Sequence, residues 1–196
     1  ILQKAIDLFI NFGFKSVTMD DIASEMHISK KTIYSHFSNK TQLVEATTFQ
    51  VFETISLEIN RICDLHKNPI EELYEIKKYV MIHLKNEKSS PQYQLCKYYP
   101  EINDSLKKKQ FELMQGCVVN NFERGIEQGL YRTNLKDEFV SRIYFLGITG
   151  IKDESLFPPE VFTRKEIMDC FLEYHLRGII TKEGLNTLNQ IIKKQD

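Results

Sequence analysis

The sequence predicts an all-helical protein of nine to ten helices. Apolar residues recur every three to four positions throughout the chain, and no segment alternates apolar and polar residues over a useful length. Helix-start signals, in which Ser, Thr, Asn or Pro precedes such a stretch, punctuate the whole sequence. We expect a three-helix head at residues 1–45 and a larger helical body at residues 46–196.

The first three helices are short. Gly13 ends helix 1, whose apolar stripe consists of Leu2, Ala5, Ile6, Phe9 and Phe12. Thr18 with Asp21 forms a capping box for helix 2, and Ser29 opens helix 3.

The next four helices begin at strong start signals. Asn39 opens helix 4, which should run to about Leu65. Prolines at the first helical position predict the starts of helices 5, 6 and 7 at Asn68-Pro69, Ser90-Pro91 and Pro100. Helix 7 should stop at Gly129.

The last three helices are bounded by polar caps and by loops that contain proline or glycine. Helix 8 should start after Asn134 and fade near Lys152. Thr163 begins helix 9 with a capping box, and Gly178 interrupts or ends that helix. A final helix is expected at residues 182–192.

The overall charge excludes a protein that coats nucleic acid without specificity. The formal net charge of the 196 residues is -1, with 42% hydrophobic and 27% charged residues. Specific DNA binding stays possible because local charge matters more than the total. No apolar run approaches the roughly 20 residues that span a bilayer, and no signal peptide is evident. We expect a cytoplasmic protein.

The segment from Thr18 to Lys40 has the pattern of a helix-turn-helix. Ala23 is small where the two helices should approach most closely. Inward-facing positions are occupied by Ile22, Met26, Ile28, Ile33 and Phe37. The outward face of helix 3 carries Lys30, Lys31, Thr32, Tyr34 and His36. Such a helix inserts its first turn into the major groove of DNA.

Each outward residue suits a different DNA atom. Lys30 and Lys31 can donate to O6 and N7 of guanine, and the hydroxyls of Thr32 and Tyr34 can bind phosphate. Lys40 lies in the first turn of helix 4, where backbone N–H groups also attract phosphate. A merely solvated helix face is the alternative interpretation of the lysines.

At these residues the sequence resembles the tetracycline-repressor (TetR/AcrR) family of bacterial regulators. The resemblance spans Ala5, Leu8, Phe9, Gly13, Phe14, Thr18, Asp21, Ile22, Ala23, Ile28, Ser29, Thr32, Tyr34, His36, Phe37, Lys40 and Leu43. It implies DNA contacts by Thr18, Ser29, Lys30, Lys31, Thr32, Tyr34, His36 and Lys40. His36 could instead pack beside Phe37. His27 stands where the family usually has a glycine in the turn.

The resemblance also implies a mechanism. The protein would be a repressor that binds a palindromic operator as a homodimer, with recognition helices about 34 Å apart. A small-molecule inducer among helices 5–7 would release it. The alternative is a DNA-anchored interaction protein of the same fold that has no inducer.

Helices 5 to 7 are rich in tyrosine and other side chains that could line a pocket. The candidates are Tyr74, Tyr79, His83, Tyr93, Cys96, Tyr99, Phe111, Met114, Cys117 and Phe122. Tyrosine hydroxyls can serve as polar anchors in an apolar site. Any one of these residues could instead belong to an ordinary helical core, and His83 could be an exposed residue.

Helices 8 and 9 are apolar on more than one face, which a four-helix dimer interface would explain. The candidates are Phe139, Ile143, Tyr144, Leu146, Gly147, Ile167, Phe171, Leu172 and His175. The alternative is a core within one chain.

No pattern predicts an enzyme, a metal site or a cofactor. The four cysteines, at 63, 96, 117 and 170, form no CxxC pair, and the histidines form no HExxH motif. Free buried thiols are the main interpretation, and a redox-sensing cysteine is the alternative.

Overall fold

The computed structural model describes residues 1–84 and 91–194, and ten helices fall within these ranges. The prediction of an all-helical fold is confirmed. The helices are α1 Leu2–Phe12, α2 Met19–Glu25, α3 Lys30–Tyr34, α4 Lys40–Asp64, α5 Pro69–Leu84, α6 Pro91–Tyr98, α7 Pro100–Glu127, α8 Asp137–Gly150, α9 Arg164–Ile179 and α10 Lys182–Lys193.

Predicted caps are found at several of the helix starts. Thr18 and Thr163 form complete capping boxes, and the Ser29 hydroxyl accepts from the backbone of Thr32. Asn68 accepts a hydrogen bond from the backbone N–H of Ile70 at 2.9 Å. Ser90 lies outside the described residues.

Two helix boundaries in the structure differ from those predicted from the sequence. Helix α8 begins at Asp137, later than expected, and the extended residue Lys136 precedes it as the N-cap. Helix α9 continues through Gly178 and ends at Ile179. The chain is then held by an antiparallel bridge between Tyr131 and Ile180, where the backbone N–H of Thr181 donates to the carbonyl of Leu130 at 2.9 Å.

The chain divides into two compact units. Unit 1 consists of residues 1–58 and 82–110, and unit 2 consists of residues 59–81 and 111–196. Helices α4, α5 and α7 therefore each contribute residues to both units.

The core of unit 1 combines the three short N-terminal helices with residues from much later in the sequence. Its buried members are Ala5, Leu8, Phe9, Phe14, Val17, Met19, Ile22, Ala23, Ile33, Leu43, Val44, Leu95, Ile102 and Leu106. A three-helix head of about 45 residues buries little apolar surface alone. The side chains of Leu95, Ile102 and Leu106, from α6 and α7, supply the remaining apolar contacts.

The turn after α1 is fixed by a residue of α6. Gly13 adopts a φ of 83°, and the Gln94 side chain occupies the space that a β-carbon of residue 13 would need. The Gln94 amide oxygen also accepts a hydrogen bond from the backbone N–H of Lys15 at 3.1 Å. Only glycine satisfies both conditions, since it tolerates positive φ and leaves room for the amide.

The core of unit 2 is larger and joins α5 and α7 to α8–α10. Its buried residues are Ile70, Leu73, Tyr74, Val118, Phe122, Leu130, Tyr131, Val140, Tyr144, Leu172, Leu176, Ile179, Ile180, Leu188 and Ile191.

A buried polar network crosses this core. Arg124 of α7 bonds both carboxylate oxygens of Glu72, at 2.6 and 2.5 Å, and Glu72 is 1% exposed. Asn121 donates to the same carboxylate at 2.8 Å and accepts from the hydroxyl of Tyr131 at 3.0 Å. Because every charge is paired and hydrogen-bonded, the network can sit in the core and fix the position of α5 against α7.

Candidate nucleic-acid interface

Helices α2 and α3 form the predicted helix-turn-helix. Ile22, Ala23 and Ile33 are buried between the helices. The other predicted inward residues, Met26, Ile28 and Phe37, are partly buried against the same core. The inward face predicted from the sequence is confirmed.

The turn between the helices depends on a left-handed residue. His27 has a φ of 54°, as its position in place of a glycine predicted. The backbone N–H of the next residue, Ile28, donates to the carbonyl of Ala23 at 3.1 Å. This conformation sets the direction in which the chain enters α3.

The exposed face of α3 consists of Lys30, Lys31, Thr32, Tyr34 and the adjoining His36. All five residues are exposed, whereas Ile33 between them is fully buried. His36 projects into solvent, and its neighbour Phe37 packs against the core instead. The exposed face of α3 therefore offers cations, hydroxyls and an imidazole from a helix that is anchored by its opposite side.

Lys30 is held by an ion pair. Its ammonium donates to a carboxylate oxygen of Asp20 at 2.8 Å and lies 5.9 Å from the centre of the Tyr34 ring. The hydrogen bond to Asp20 raises the pKa of Lys30 above its usual value. No fixed sequence spacing signals this pairing between α2 and α3.

The remaining predicted DNA contacts include two that also cap helices. The Thr18 hydroxyl accepts from the backbone N–H of Asp21 at 3.1 Å, and the Ser29 hydroxyl accepts from Thr32 at the same distance. The hydroxyls of Ser29 and Thr32 are 2.8 Å apart and share a hydrogen bond. Phosphate binding by these hydroxyls would therefore compete with capping.

Lys40 is the least exposed of the predicted contacts. It begins α4 and is half-buried. Burial lowers its pKa, and the charge of Asp21 acts in the opposite direction. An ammonium that is already partly dehydrated loses less hydration when it meets a phosphate.

The predicted pocket residues do not share one environment. Tyr74 and Phe122 are buried in the core of unit 2, where Phe122 stacks on Tyr131 at 5.7 Å. Tyr99 packs edge-on against Phe14 in unit 1, with ring centres 6.1 Å apart. The packing of these three residues within the protein accounts for an aromatic side chain at each position without a ligand.

Other pocket candidates are more accessible. Tyr93 and Cys96 are exposed in unit 1. Tyr79, Phe111, Met114 and Cys117 are half-buried in unit 2. The side chain of His83 lies outside the described residues.

Two hollows on unit 2 include none of these candidates. The larger, of about 610 Å³, lies over one face of α7 and is lined by Glu112, Gln115, Gly116, Val119, Asn120 and Glu123. The smaller, of about 290 Å³, is lined by Arg177, Ile180, Thr181, Lys182 and Leu185.

The predicted dimer residues separate into an exposed set and a buried set. Phe139, Ile143 and Leu146 of α8 are 61%, 43% and 65% exposed and share one helical face. Tyr174 of α9 is 80% exposed and was not among the predicted residues.

The buried set packs within its own chain. Tyr144, Leu172 and His175 are at most 8% exposed in the core of unit 2. Gly147 leaves room for the ring of Phe171, which is partly buried, as is Ile167. The sequence could not separate these residues from the exposed set because both lie on the same two apolar helices.

Neither a metal centre nor a membrane helix is found in the described part of the chain. No cluster of three or more potential ligands occurs among the His, Cys, Asp and Glu side chains of these residues. Within the same residues, every helix is too short or too polar to cross a bilayer.

Comparison with known proteins finds a family match for the N-terminal residues that include α1–α3. Residues 1–47 match the family model of bacterial regulatory proteins, tetR family. An HTH-type transcriptional regulator of Bacillus subtilis, YhgD, is 33% identical over 75 residues, which are 38% of this chain and 37% of that protein. The chain thus aligns with well under half the length of YhgD.

Two further similarities cover almost the whole chain. The HTH-type transcriptional repressor KstR2 of Mycobacterium tuberculosis is 23% identical over 192 residues, covering 94% of this chain and 93% of KstR2. A putative transcriptional regulator from Saccharomonospora viridis, solved in complex with choline, superposes with a TM-score of 0.68 at 21% identity. That superposition covers 92% of this chain and 96% of the other, and it shows a shared fold.

Proposed function

We propose that the chain is a cytoplasmic repressor of the tetR family that binds a palindromic operator as a homodimer, because residues 1–47 match the model of that family. In this proposal residues 1–45 bind DNA, residues 46–196 bind ligand and dimerise, and an inducer bound among helices α5 to α7 releases the DNA.

The exposed face of α3 carries the proposal. Lys30, Lys31, Thr32 and Tyr34 project outward from a helix whose only buried residue is Ile33. A helix presented in this way enters the major groove, where lysine binds guanine and hydroxyls bind phosphate. Lys31 is the exposed cation best suited to a base, since Lys30 is paired with Asp20.

The first test is DNA binding by the full-length protein. Duplexes selected from a random pool should contain two half-sites separated by about one helical turn. Lys31→Ala should weaken binding to the selected duplex by about five- to 150-fold if the lysine reads a base. Lys182→Ala in the first turn of α10 is the matched control and should leave binding unchanged. Equal affinity of the Lys31 variant and the parent protein would contradict the proposed role of α3.

The exposed set on α8 and α9 supports a homodimer. Phe139, Ile143 and Leu146 form a stripe of apolar surface, and Tyr174 adds a large exposed ring on α9. Exposed apolar surface of this kind is a common feature of protein interfaces. A symmetric pairing through α8 and α9 would cover it.

Sedimentation equilibrium tests this pairing. Leu146→Glu should convert a dimer to a monomer by placing a charge in an apolar interface. Leu57→Glu is the control, because Leu57 is 72% exposed on α4 in unit 1 and outside the proposed interface. A parent protein that stays monomeric, or a dimer that tolerates the Leu146 variant, would contradict the proposal.

Inducer binding has support from a relative and from three residues. The Saccharomonospora viridis regulator of similar fold holds choline. In unit 2 of the present chain, Tyr79, Phe111 and Met114 are half-buried, so a ligand could bury them further. The Phe111 ring already receives a cation at 5.3 Å, the guanidinium of Arg142.

The competing function is a DNA-anchored interaction protein without an inducer. It is favoured by the tight packing of Tyr74, Phe122 and Tyr99. Titration with choline and a fragment library, followed by calorimetry and by release of the selected duplex, distinguishes the two. An inducer is supported if a ligand binds, if Met114→Ala weakens its binding, and if the ligand lowers the affinity for the selected duplex. Absence of any such ligand supports the alternative.

A further inference from the structure

Two lysines and two tyrosines form an exposed cluster in unit 1. The ammonium of Lys15, in the turn between α1 and α2, lies 5.5 Å from the centre of the Tyr98 ring on α6. The ammonium of Lys97 lies 5.5 Å from the same ring and 5.5 Å from the ring of Tyr93. It also donates a hydrogen bond to the Tyr93 hydroxyl oxygen at 3.2 Å. All four side chains are open to solvent, and two cations share one aromatic ring.

Within the described residues, no carboxylate neutralises these two cations. Lys30 pairs with Asp20, but neither lysine of the cluster forms an ion pair there. The hydrogen bond to Tyr93 is the main cause that raises the pKa of Lys97 above its usual value. The cluster therefore presents two positive charges on a surface of tyrosine rings, which suits an anionic partner.

The cluster is fixed in position beside the start of α2. Gln94, next to Tyr93 on α6, accepts a hydrogen bond from the backbone N–H of Lys15 at 3.1 Å. Leu95 follows it and is 4% exposed in the core of unit 1. Lys15 precedes Thr18, the N-cap of α2, by three residues, which span at most about 11 Å. The cations are thus held close to the helix-turn-helix by a buried anchor.

We propose that Lys15 and Lys97 bind backbone phosphates of the operator, as a second contact surface beside the exposed face of α3. This inference rests on the proposed function, in which Thr18 is itself a phosphate contact. Duplex DNA carries one negative charge per about 1.7 Å of its axis, so a protein surface near one bound phosphate meets several others. Contacts of this kind fix the register of the protein on DNA without reading the bases.

The salt dependence of DNA binding tests this surface. The double variant Lys15→Gln/Lys97→Gln removes both charges and keeps most of each side chain. It should bind the selected duplex about tenfold more weakly at moderate salt, with an equal loss for a duplex of unrelated sequence. The slope of log affinity against log salt concentration should fall by about one for each lost contact, or about two per subunit.

A matched control removes the same charge elsewhere in unit 1. Lys107 and Lys108 are exposed on α7 in that unit, and Lys107→Gln/Lys108→Gln should leave the affinity and the salt slope nearly unchanged. Circular dichroism checks the fold of both double variants. An equal effect of the two double variants would assign the loss to total charge and overturn the proposal.

A scan of the selected duplex with single methylphosphonate substitutions locates the contacts. Each substitution neutralises one phosphate, and those bound by the two lysines should weaken the parent protein but not the Lys15→Gln/Lys97→Gln variant. If the variant keeps the parent affinity, salt slope and methylphosphonate pattern, this inference is overturned while the proposed function stands. A parent protein that selects no duplex overturns both.

Discussion

The ammonium of Lys30 and the carboxylate of Asp20 lie 2.8 Å apart, so α2 neutralises the first cation of α3. Both side chains are about half exposed or more, so solvent screens the pair and it contributes little to the stability of the fold. Asp20 therefore matters less for stability than for the charge on the exposed face of α3. In the proposed complex, an operator would have to break this pair to engage Lys30.

Replacing Asp20 with Asn should strengthen DNA binding. The change frees Lys30 and removes a negative charge near the phosphates, so we expect affinity for the selected duplex to rise about two- to fivefold at moderate salt. Fluorescence anisotropy measures the change. Glu25→Gln is the control, because Glu25 pairs with Lys4 on α1 and not with α3. Weaker binding by the Asp20 variant would show that the carboxylate positions Lys30 productively.

Replacing His27 with Gly should stabilise the protein. The φ of 54° places the β-carbon of His27 close to its own backbone, a strain of about 1–2 kcal/mol that glycine lacks. Greater freedom of glycine in the unfolded chain offsets part of this, which leaves a gain of about 0.5–1 kcal/mol in the free energy of unfolding. Urea denaturation measures it. His27→Ala retains the β-carbon and should give no gain, and equal stability of the Gly and Ala variants would exclude strain.

Two adjacent threonines of α4 should respond differently to replacement by valine. Both are buried, but the Thr47 hydroxyl donates to the carbonyl of Val44 at 2.9 Å, whereas the Thr48 hydroxyl has no hydrogen-bond partner among the described residues. Thr48→Val removes an unsatisfied buried hydroxyl at nearly constant volume and should stabilise by about 1 kcal/mol. Thr47→Val loses a bond and should give no gain. If Thr47→Val stabilises the protein and Thr48→Val destabilises it, the unsatisfied hydroxyl belongs to Thr47 and not to Thr48.

The local signals of the sequence predicted the helix-turn-helix well because its geometry depends on near neighbours. Thr18 and Ser29 cap helices through residues three positions away, and the left-handed conformation of His27 follows from the tight turn. Helix periodicity then identifies Ile33 as the inward residue of α3.

Contacts between distant segments could not be predicted in this way. Nothing in the sequence signals that Leu95 enters the core of unit 1 or that Lys30 pairs with Asp20. Periodicity shows that a helix has two apolar faces, but it does not show which face a neighbour covers. For that reason Leu146 and Leu172 looked alike in sequence, although one is exposed and the other is buried.

His175 illustrates how such burial controls stability. Its ring centre is 4.8 Å from that of Tyr144 and 6.1 Å from that of Phe171, and the residue is 8% exposed. Burial disfavours the charged imidazolium and lowers the pKa of His175 from 6.5 to about 4. The imidazole is consequently neutral in the folded protein at neutral pH.

This lowered pKa predicts acid sensitivity with a defined sign. Between pH 6.5 and about 4 the unfolded chain binds a proton at residue 175 that the folded chain does not, so the free energy of unfolding falls as pH decreases. The loss across this window should approach about 3 kcal/mol. We expect His175→Gln to remove this share of the pH dependence in urea denaturation at pH 7.5, 6 and 4.5. Protein concentration must be fixed because the proposed dimer makes stability depend on it. Subtracting the free energies of unfolding of the two proteins at each pH cancels the contribution of the carboxylates. If the two proteins instead lose stability in parallel, His175 becomes charged without unfolding the protein.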